Sequence, residues 1–441
     1  MKKDKTIRIS QCMIVKNEEK NIKRALFWGK EVMWEQVVVD TGSTDRTVEL
    51  ACEMGAKVYH YLWTDDFSAA KNYAIEKCSG DWIALLDADE YMVLSDVQKL
   101  PNIIEELERR NMDGLSTGWQ QIDDKGQIFS SGTQVRFFRN DPDIRYRRRI
   151  HEQLESVSGR ELRLGDVVNE LSIFHTGYQA ENQAGKKRSG RNRRLIQEEL
   201  KENPKDYEMM GYMGDECLTD GNNEEAKQWY FRSIEHMPSQ LSYYDQRSAV
   251  TFTRLLMLLG EKEDVSWNEV EKIYQKAVNL FPQEADLDYE VGKFFAIRGQ
   301  AEKAAFYLES GIKKLDIYGC SNKALVLSAN LLAAYDLLVK CCYESGQIEK
   351  CLTYGVIYLK YDKYGMAVLS KVLKVLTLNQ KETSEEINIA VIEILSKMYD
   401  FSQLKDKLFL VKTARLAEVG KFADFAIQYL FDDNEKVRLK L

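Results

Sequence analysis

Four short runs rich in β-branched and aromatic residues recur across residues 7 to 90, separated by helix-patterned segments, and this alternation constrains the fold most. The runs are "IRISQCMIV", "EQVVVD", "KVYHYL" and "DWIALLD". Between them lie "EEKNIKRALFWG", "STDRTVELACEMG" and "DFSAAKNYAIEKCSG". Strand side chains alternate faces while helical ones repeat every 3.6 residues, so neither pattern substitutes for the other. Strand–helix–strand alternation predicts a parallel sheet with helices on both faces. Two of the helical segments close on Gly55 and Gly80, read as helix stops. Sheets of this kind bind ligands beyond the carboxyl ends of their strands.

The pattern changes downstream. "DGLSTGWQQIDDKGQIFSSGTQVRFFRN" predicts a hairpin turning at "DDKG". With "RYRRRIHEQL" and "LSIFHTGY" it predicts an antiparallel extension of the sheet. From residue 186 onward helical patterns dominate, so the expected domains are 1–185, an α/β sheet domain, and 186–441, all helical. Three helical stretches carry small and large residues in tetratricopeptide order. The first has Gly214, Cys217, Gly221, Ala226, Tyr230 and Pro238; the second has Gly292, Phe295, Gly299, Ala304 and Leu308; a looser third has Gly346 and Cys351. Small residues let paired helices pack closely, and the stacked product is a solenoid that presents a surface.

At 441 residues the chain is too long for one core. Its composition, 44% hydrophobic and 30% charged, is that of an ordinary globular protein. A net charge of −8 excludes a general nucleic-acid binder, which needs a basic face, although a local basic pocket for phosphate remains compatible. No stretch reaches the roughly 20 apolar residues of a membrane span, and "MKKDKTIRIS" lacks a signal-peptide core, so a cytoplasmic location is expected. The eight cysteines show no CxxC spacing and read as reduced core residues.

The acids of the first half sit where a parallel sheet places its ligands. Asn17 and Glu18 follow the first strand, Asp40 ends the second with Asp45 just beyond, Asp65 and Asp66 follow the third, and Asp87 and Asp89 follow the fourth. Helix capping accounts for Ser43 or Thr44 and for Asp66. It does not account for four successive strands converging on acids at one edge. In "DADE" an extended backbone would point Asp87 and Asp89 to one side, where two carboxylates repel. A hard divalent cation, Mg²⁺ or Mn²⁺, relieves that repulsion and keeps positions for substrate phosphate.

"CMIVKNEE", "VVVDTGSTDRT", "DFSAAKNYAI" and "WIALLDADE", in this order and spacing, resemble the inverting family 2 glycosyltransferases of GT-A fold. The later pieces "QVRFFRN", "RIHEQL", "FHTGY" and "KKRSGRNRR", followed by helical repeats, resemble a bacterial subgroup with tetratricopeptide-like tails. That subgroup includes enzymes that glycosylate cysteine or serine in bacteriocin peptides (the sublancin and thurandacin type), and transferases for lipopolysaccharide-type acceptors. The resemblance implies a hexose transfer from a UDP-sugar with a divalent cation. It places Asn17 and Glu18 at the nucleoside, Asp40 on the uracil, Asp45 near the nucleotide, Lys71 at the base or phosphate, Asp87 at the ribose and Asp89 on the metal. Lys16 stands where the family often has an aromatic for base stacking.

The fold implied by the resemblance adds a downstream metal ligand, often histidine; His175 is the expected one and His151 its rival. Glu152 is the candidate general base, with Glu90 and Asp124 as alternatives, and Arg136 and Arg139 are candidates for the diphosphate or the acceptor. The helical half is expected to select a peptide or protein acceptor, to form a homodimer, or both. Two other classes fit less well. Haloacid-dehalogenase-like phosphatases place Asp-x-Asp on their first strand rather than after the fourth. A non-catalytic scaffold would have no need of these acids.

Overall fold

The computed structural model describes residues 7–123, 125–176, 190–241, 245, 247–319, 322, 325–377 and 385–440. The chain forms two compact units, Met1–Asp220 and Gly221–Leu441. The expected boundary at 185/186 and the alternative base Asp124 lie outside the described residues, as does Cys320. The other seven cysteines are free thiols, five of them buried.

In the first unit the four expected strands form as β1 (Ile9–Val15), β2 (Glu35–Asp40), β3 (Lys57–His60) and β4 (Trp82–Leu85). They pair in parallel in the order β3-β2-β1-β4. The crossovers carry α1 (Ile22–Phe27), α2 (Thr47–Glu53) and α3 (Phe67–Glu76). Beyond β4 come β5 (Glu90–Met92), α4 (Leu94–Val97) and α5 (Leu100–Arg109). Strand alternation divides the core. Trp82 and Ala84 pack against Leu100, Ile104 and Leu107 of α5, while Ile83 and Leu85 pack against Ala74 and Ile75 of α3. β4 is therefore buried on both faces, as its unbroken apolar run requires.

The hairpin forms as expected, from β6 (Gly114–Ile122) and β7 (Ile128–Arg139). Asp123 closes its turn by accepting from the Lys125 and Gln127 amides at 2.8 Å, with Gly126 at φ +76°. β7 joins the main sheet antiparallel to β4.

The "RYRRRIHEQL" segment does not extend that sheet. Its strands β8 (Ile144–Arg147) and β9 (Gln153–Ser156) make a separate two-stranded ladder. The reason is local: the Asn72 side chain on α3 both accepts from the Tyr146 amide and donates to its carbonyl, each at 2.9 Å, taking the place of a strand partner. β10 (Leu164–Asp166) lies parallel to β6, and β11 (Ser172–His175) fits between β6 and β5. Two helices complete the unit, α6 (Arg191–Glu202) and α7 (Tyr207–Thr219).

Asp66 caps α3 as expected, accepting from the Ala69 amide. Ser43 and Thr44 cap nothing; α2 starts at Thr47, where Asp45 takes the amide. Gly55 stops α2 at φ +87°, but Gly80 lies past the end of α3. A Cβ at Gly80 would sit 2.7 Å from the Ser10 amide nitrogen, so that glycine serves close approach to β1.

The second unit is helical throughout its described residues. Helices Ala285–Ile297 and Ala301–Tyr318 pack as a pair in which a Cβ on Gly292 would meet Leu308 at 2.7 Å. Leu331–Glu344 and Ile348–Tyr361 form the next pair. Gly299 and Gly346 make the turns at φ +68° and +71°. Gly292 thus does what close helix packing demands, while Gly299 and Gly346 serve the turns. No helix among the described residues is long and apolar enough to cross a membrane.

Candidate active site

The parallel order brings the strand-end acids to one edge. Asp40 ends β2 and Asp87 follows β4, with β1 between them. At about 4.8 Å per strand they stand about 10 Å apart, a span suited to a nucleoside bearing a diphosphate. Buried Asp40 accepts from the Gly42 and Ser43 amides at 3.1 and 3.0 Å, and lies 3.4 Å from Nδ1 of exposed His60. The loops beside it brace one another. Asn17, at φ +57°, accepts from the Thr44 amide at 2.8 Å and donates its own amide to Ser43. Glu18 donates its amide to Thr47 and receives Asn21 on its carboxylate. Asp45 accepts from Glu19 and Thr47; burial opposes its ionisation, but the Thr47 hydrogen bonds outweigh it and hold the carboxyl below its ordinary value. Glu18 and Asp45 therefore shape the loops that surround the edge.

"DADE" is a turn rather than extended chain. The strand ends at Leu85, and the Glu90 amide donates to the Asp87 carbonyl at 3.0 Å. Ala88 and Glu90 are buried while Asp87 and Asp89 stay partly open. Protein cations answer the charge of Asp87. Lys71, on α3 and almost wholly buried, lies 3.3 Å from Asp87 and 2.5 Å from Glu152. Arg136 meets Asp87 at 2.8 Å and Glu90 at 2.7 Å. Burial disfavours the charged forms, but Lys71 and Arg136 hold the Asp87 carboxyl well below the usual carboxylate range, and Asp87 and Glu152 raise Lys71. Asp87 is thus neutralised by protein cations while 37% of its side chain stays open to a ligand.

Glu90 is fully engaged and only 1% exposed: it accepts from Trp119, Arg136 and the Asp87 amide. That arrangement positions the turn. Arg136 reaches the site through a β-bulge. The register passes from Leu115↔Phe137 to Ser116↔Val135 and leaves Arg136 unopposed. Bulges re-aim side chains in this way beside functional sites. Arg139 does not join. It pairs with Trp82 at the other end of β4, and its guanidinium binds the Met112 and Glu108 carbonyls, so it holds the end of α5.

Asp89 has no lysine or arginine within ion-pair distance among the described residues. Its neighbour is His175, whose Nε2 lies 3.4 Å from Oδ2. β11 delivers His175 by pairing it opposite Glu90, and the Trp119 ring stacks on it at 4.7 Å. His151 lies elsewhere, its ring stacked on Tyr212 at 3.5 Å. No group of three metal-ligating side chains occurs among the described residues. The Asp89–His175 pair fits an octahedral cation that takes its remaining ligands from water and substrate phosphate. Without such a cation the cluster carries four carboxylates (Asp87, Asp89, Glu90, Glu152) against Lys71 and Arg136, an imbalance that favours one.

Sequence reasoning missed Trp119, which orients both Glu90 and His175, and Tyr146, whose ring lies 5.2 Å from the Lys71 ammonium. A lone polar-tipped aromatic within a strand was the available signal, and it does not reveal what the ring faces.

Residues 10–160 match Glycosyl transferase family 2. This segment is a family 2 glycosyltransferase domain. The chain is 34% identical over 232 residues to the TPR repeat-containing protein Synpcc7942_0270 of Synechococcus elongatus, a match covering 52% of this chain and 56% of that one. It is 28% identical over 259 residues to the SPbeta prophage-derived glycosyltransferase SunS of Bacillus subtilis, covering 58% and 60%. The matches thus span little more than half of each relative's length. Among solved structures, Staphylococcus aureus TarS 1-349 aligns at 13% identity and TM-score 0.34 over 67% of this chain and 92% of that chain.

Proposed function

We propose that this chain is an inverting glycosyltransferase that moves a hexose from a UDP-sugar to a peptide side chain, a cysteine thiol or serine hydroxyl. The observation that carries the reading is the division of the edge carboxylates into two electrostatic kinds. Asp87 and Glu152 share the buried Lys71, while Asp89 has His175 instead of a fixed cation.

Asp40 and Asn17 lie at the nucleoside end and Asp87 faces the ribose. Asp89 and His175 would hold Mg²⁺ or Mn²⁺, which would supply Lewis-acid stabilisation of negative charge on a diphosphate. Arg136, fixed by Glu90, adds positive charge beside it. Glu152, its carboxylate held by Lys71, accepts the acceptor's proton. The acceptor's sulfur or oxygen bonds to the anomeric carbon on the face opposite the diphosphate, whose bond to that carbon breaks, so the configuration inverts. The helical unit Gly221–Leu441 offers a repeat surface for the acceptor or a second copy of the chain.

The test is mass spectrometry of the intact chain with UDP- and GDP-hexoses and cysteine- or serine-containing peptides, with and without EDTA, alongside calorimetry with UDP, ADP and GDP. EDTA-sensitive turnover of a UDP-hexose is expected, with UDP bound most tightly and Asp40→Asn reducing that preference. Equal binding of the three diphosphates, or turnover indifferent to EDTA, refutes the donor or the metal part respectively.

A further inference from the structure

The loop carrying Glu152 holds non-glycine residues in the left-handed region on both sides of Ile150: Arg148 at φ +77° and His151 at φ +51°. Side chains rarely adopt this conformation, and it persists only where the surroundings over-determine it. Two sets of contacts do so here. On one side, α3 binds the loop backbone. Ser68 Oγ donates to the Arg148 carbonyl at 2.5 Å and the Phe67 amide to the Arg149 carbonyl at 2.9 Å.

On the other side stand α6 and α7. Arg148, only 15% exposed, forks onto Asp206 at 3.1 Å and Glu208 at 2.5 Å, two carboxylates that are themselves buried. The Arg149 amide donates to Glu199 at 2.8 Å, and Gln153 donates to Glu208 at 3.2 Å. The His151 ring lies flat on Tyr212, 3.5 Å away with 3° between the planes. Glu152 sits between these anchors, and its carboxylate meets Lys71 on α3. The partners at residues 199–212 all lie beyond the family-matching segment 10–160.

We propose that α6 and α7 are positioning elements of the catalytic site: Tyr212, Asp206 and Glu208 fix the strained loop 148–153 so that Glu152 faces Lys71 and Asp87. This rests on the reading of Glu152 as the base. In physical terms, two residues in an unfavourable backbone conformation would relax on losing a clamp, and the Glu152 carboxylate would leave its place beside Lys71. Groups that act on a reacting atom are sensitive to displacements of this size.

The test compares wild type with Tyr212→Ala, Tyr212→Leu and Tyr212→Phe by hydrogen exchange, UDP calorimetry and UDP-hexose turnover. In Tyr212→Ala, exchange across 148–153 is expected to rise at least tenfold while β1 and β4 stay protected. Turnover is expected to fall at least tenfold with the UDP Kd within twofold of wild type. Tyr212→Phe keeps the stacked ring and restores both. Tyr212→Leu stands in if circular dichroism shows the alanine variant misfolded. Unchanged exchange in 148–153 overturns the clamp. Raised exchange with turnover within twofold of wild type overturns its catalytic role. A wild type that binds UDP yet turns over no UDP-hexose instead refutes the transferase reading, and the catalytic role of the clamp falls with it, while the exchange result still decides the clamp.

Discussion

Lys71→Met removes the buried cation that Asp87 and Glu152 share, and the structure sets the size of the effect. At 3.3 Å and an effective dielectric of about 20, the Lys71–Asp87 attraction is about 5 kcal/mol before desolvation is counted. Breaking a buried pair by removing one partner costs about 3–5 kcal/mol, because the other charge is left uncompensated. Two features reduce this. Asp87 keeps Arg136 at 2.8 Å, and 37% of its side chain is open to water. Glu152, only 17% exposed, has no other cation within ion-pair distance among the described residues. The expected loss at pH 7 is therefore about 2–4 kcal/mol, with Lys71→Arg losing less because it keeps the charge.

The pH dependence follows from the direction of the Asp87 shift. Its folded pKa is depressed, so its contribution is present above the unfolded carboxylate value and is lost as pH falls toward the folded one. Without Lys71, which does most to hold the Asp87 carboxyl down, Asp87 protonates at higher pH, which relieves the variant before wild type loses anything. The difference between the two should thus shrink between pH 7 and about 4.5. The assay is urea unfolding followed by tryptophan emission in a Trp229→Phe, Trp267→Phe background, where the remaining reporters, Trp28, Trp34, Trp63, Trp82 and Trp119, all lie in the first unit. A loss below about 1 kcal/mol at pH 7, or an equal loss at both pH values, refutes the reasoning.

Two further substitutions separate the site from its frame. Asp89→Ala should reduce UDP-hexose turnover more than tenfold, a barrier change of about 1.4 kcal/mol, with the urea midpoint of the first unit nearly unchanged, because the residue serves a ligand rather than the core; retention of more than a tenth of the activity refutes it. Arg139→Ala should do the reverse, lowering stability by about 1–3 kcal/mol through loss of the α5 anchor while turnover stays within twofold; unfolding and turnover measured on the same sample decide it.

Much of the fold is written locally in this sequence. The alternation of strand and helix periods, the acids at four strand ends and the "DDKG" hairpin all formed, because side-chain period, capping and turn chemistry act over a few residues. In the helical repeat Gly292 likewise marks a close helix contact, and Gly299 and Gly346 mark turns. Tertiary structure alone decided how the charges are shared. Lys71 and Glu152 are far apart in sequence and meet only because α3 packs against the β8–β9 loop. Arg136 and Arg139 look equivalent in "QVRFFR", yet a bulge turns the first into the site and the strand register carries the second to the opposite end of β4. His175 rather than His151 stands beside Asp89 because β11 pairs with β5, while His151 is held against Tyr212. Sequence pattern reports which residues share a face or a strand end. The partner that neutralises each charge depends on long-range packing, where burial makes every unpaired carboxylate costly.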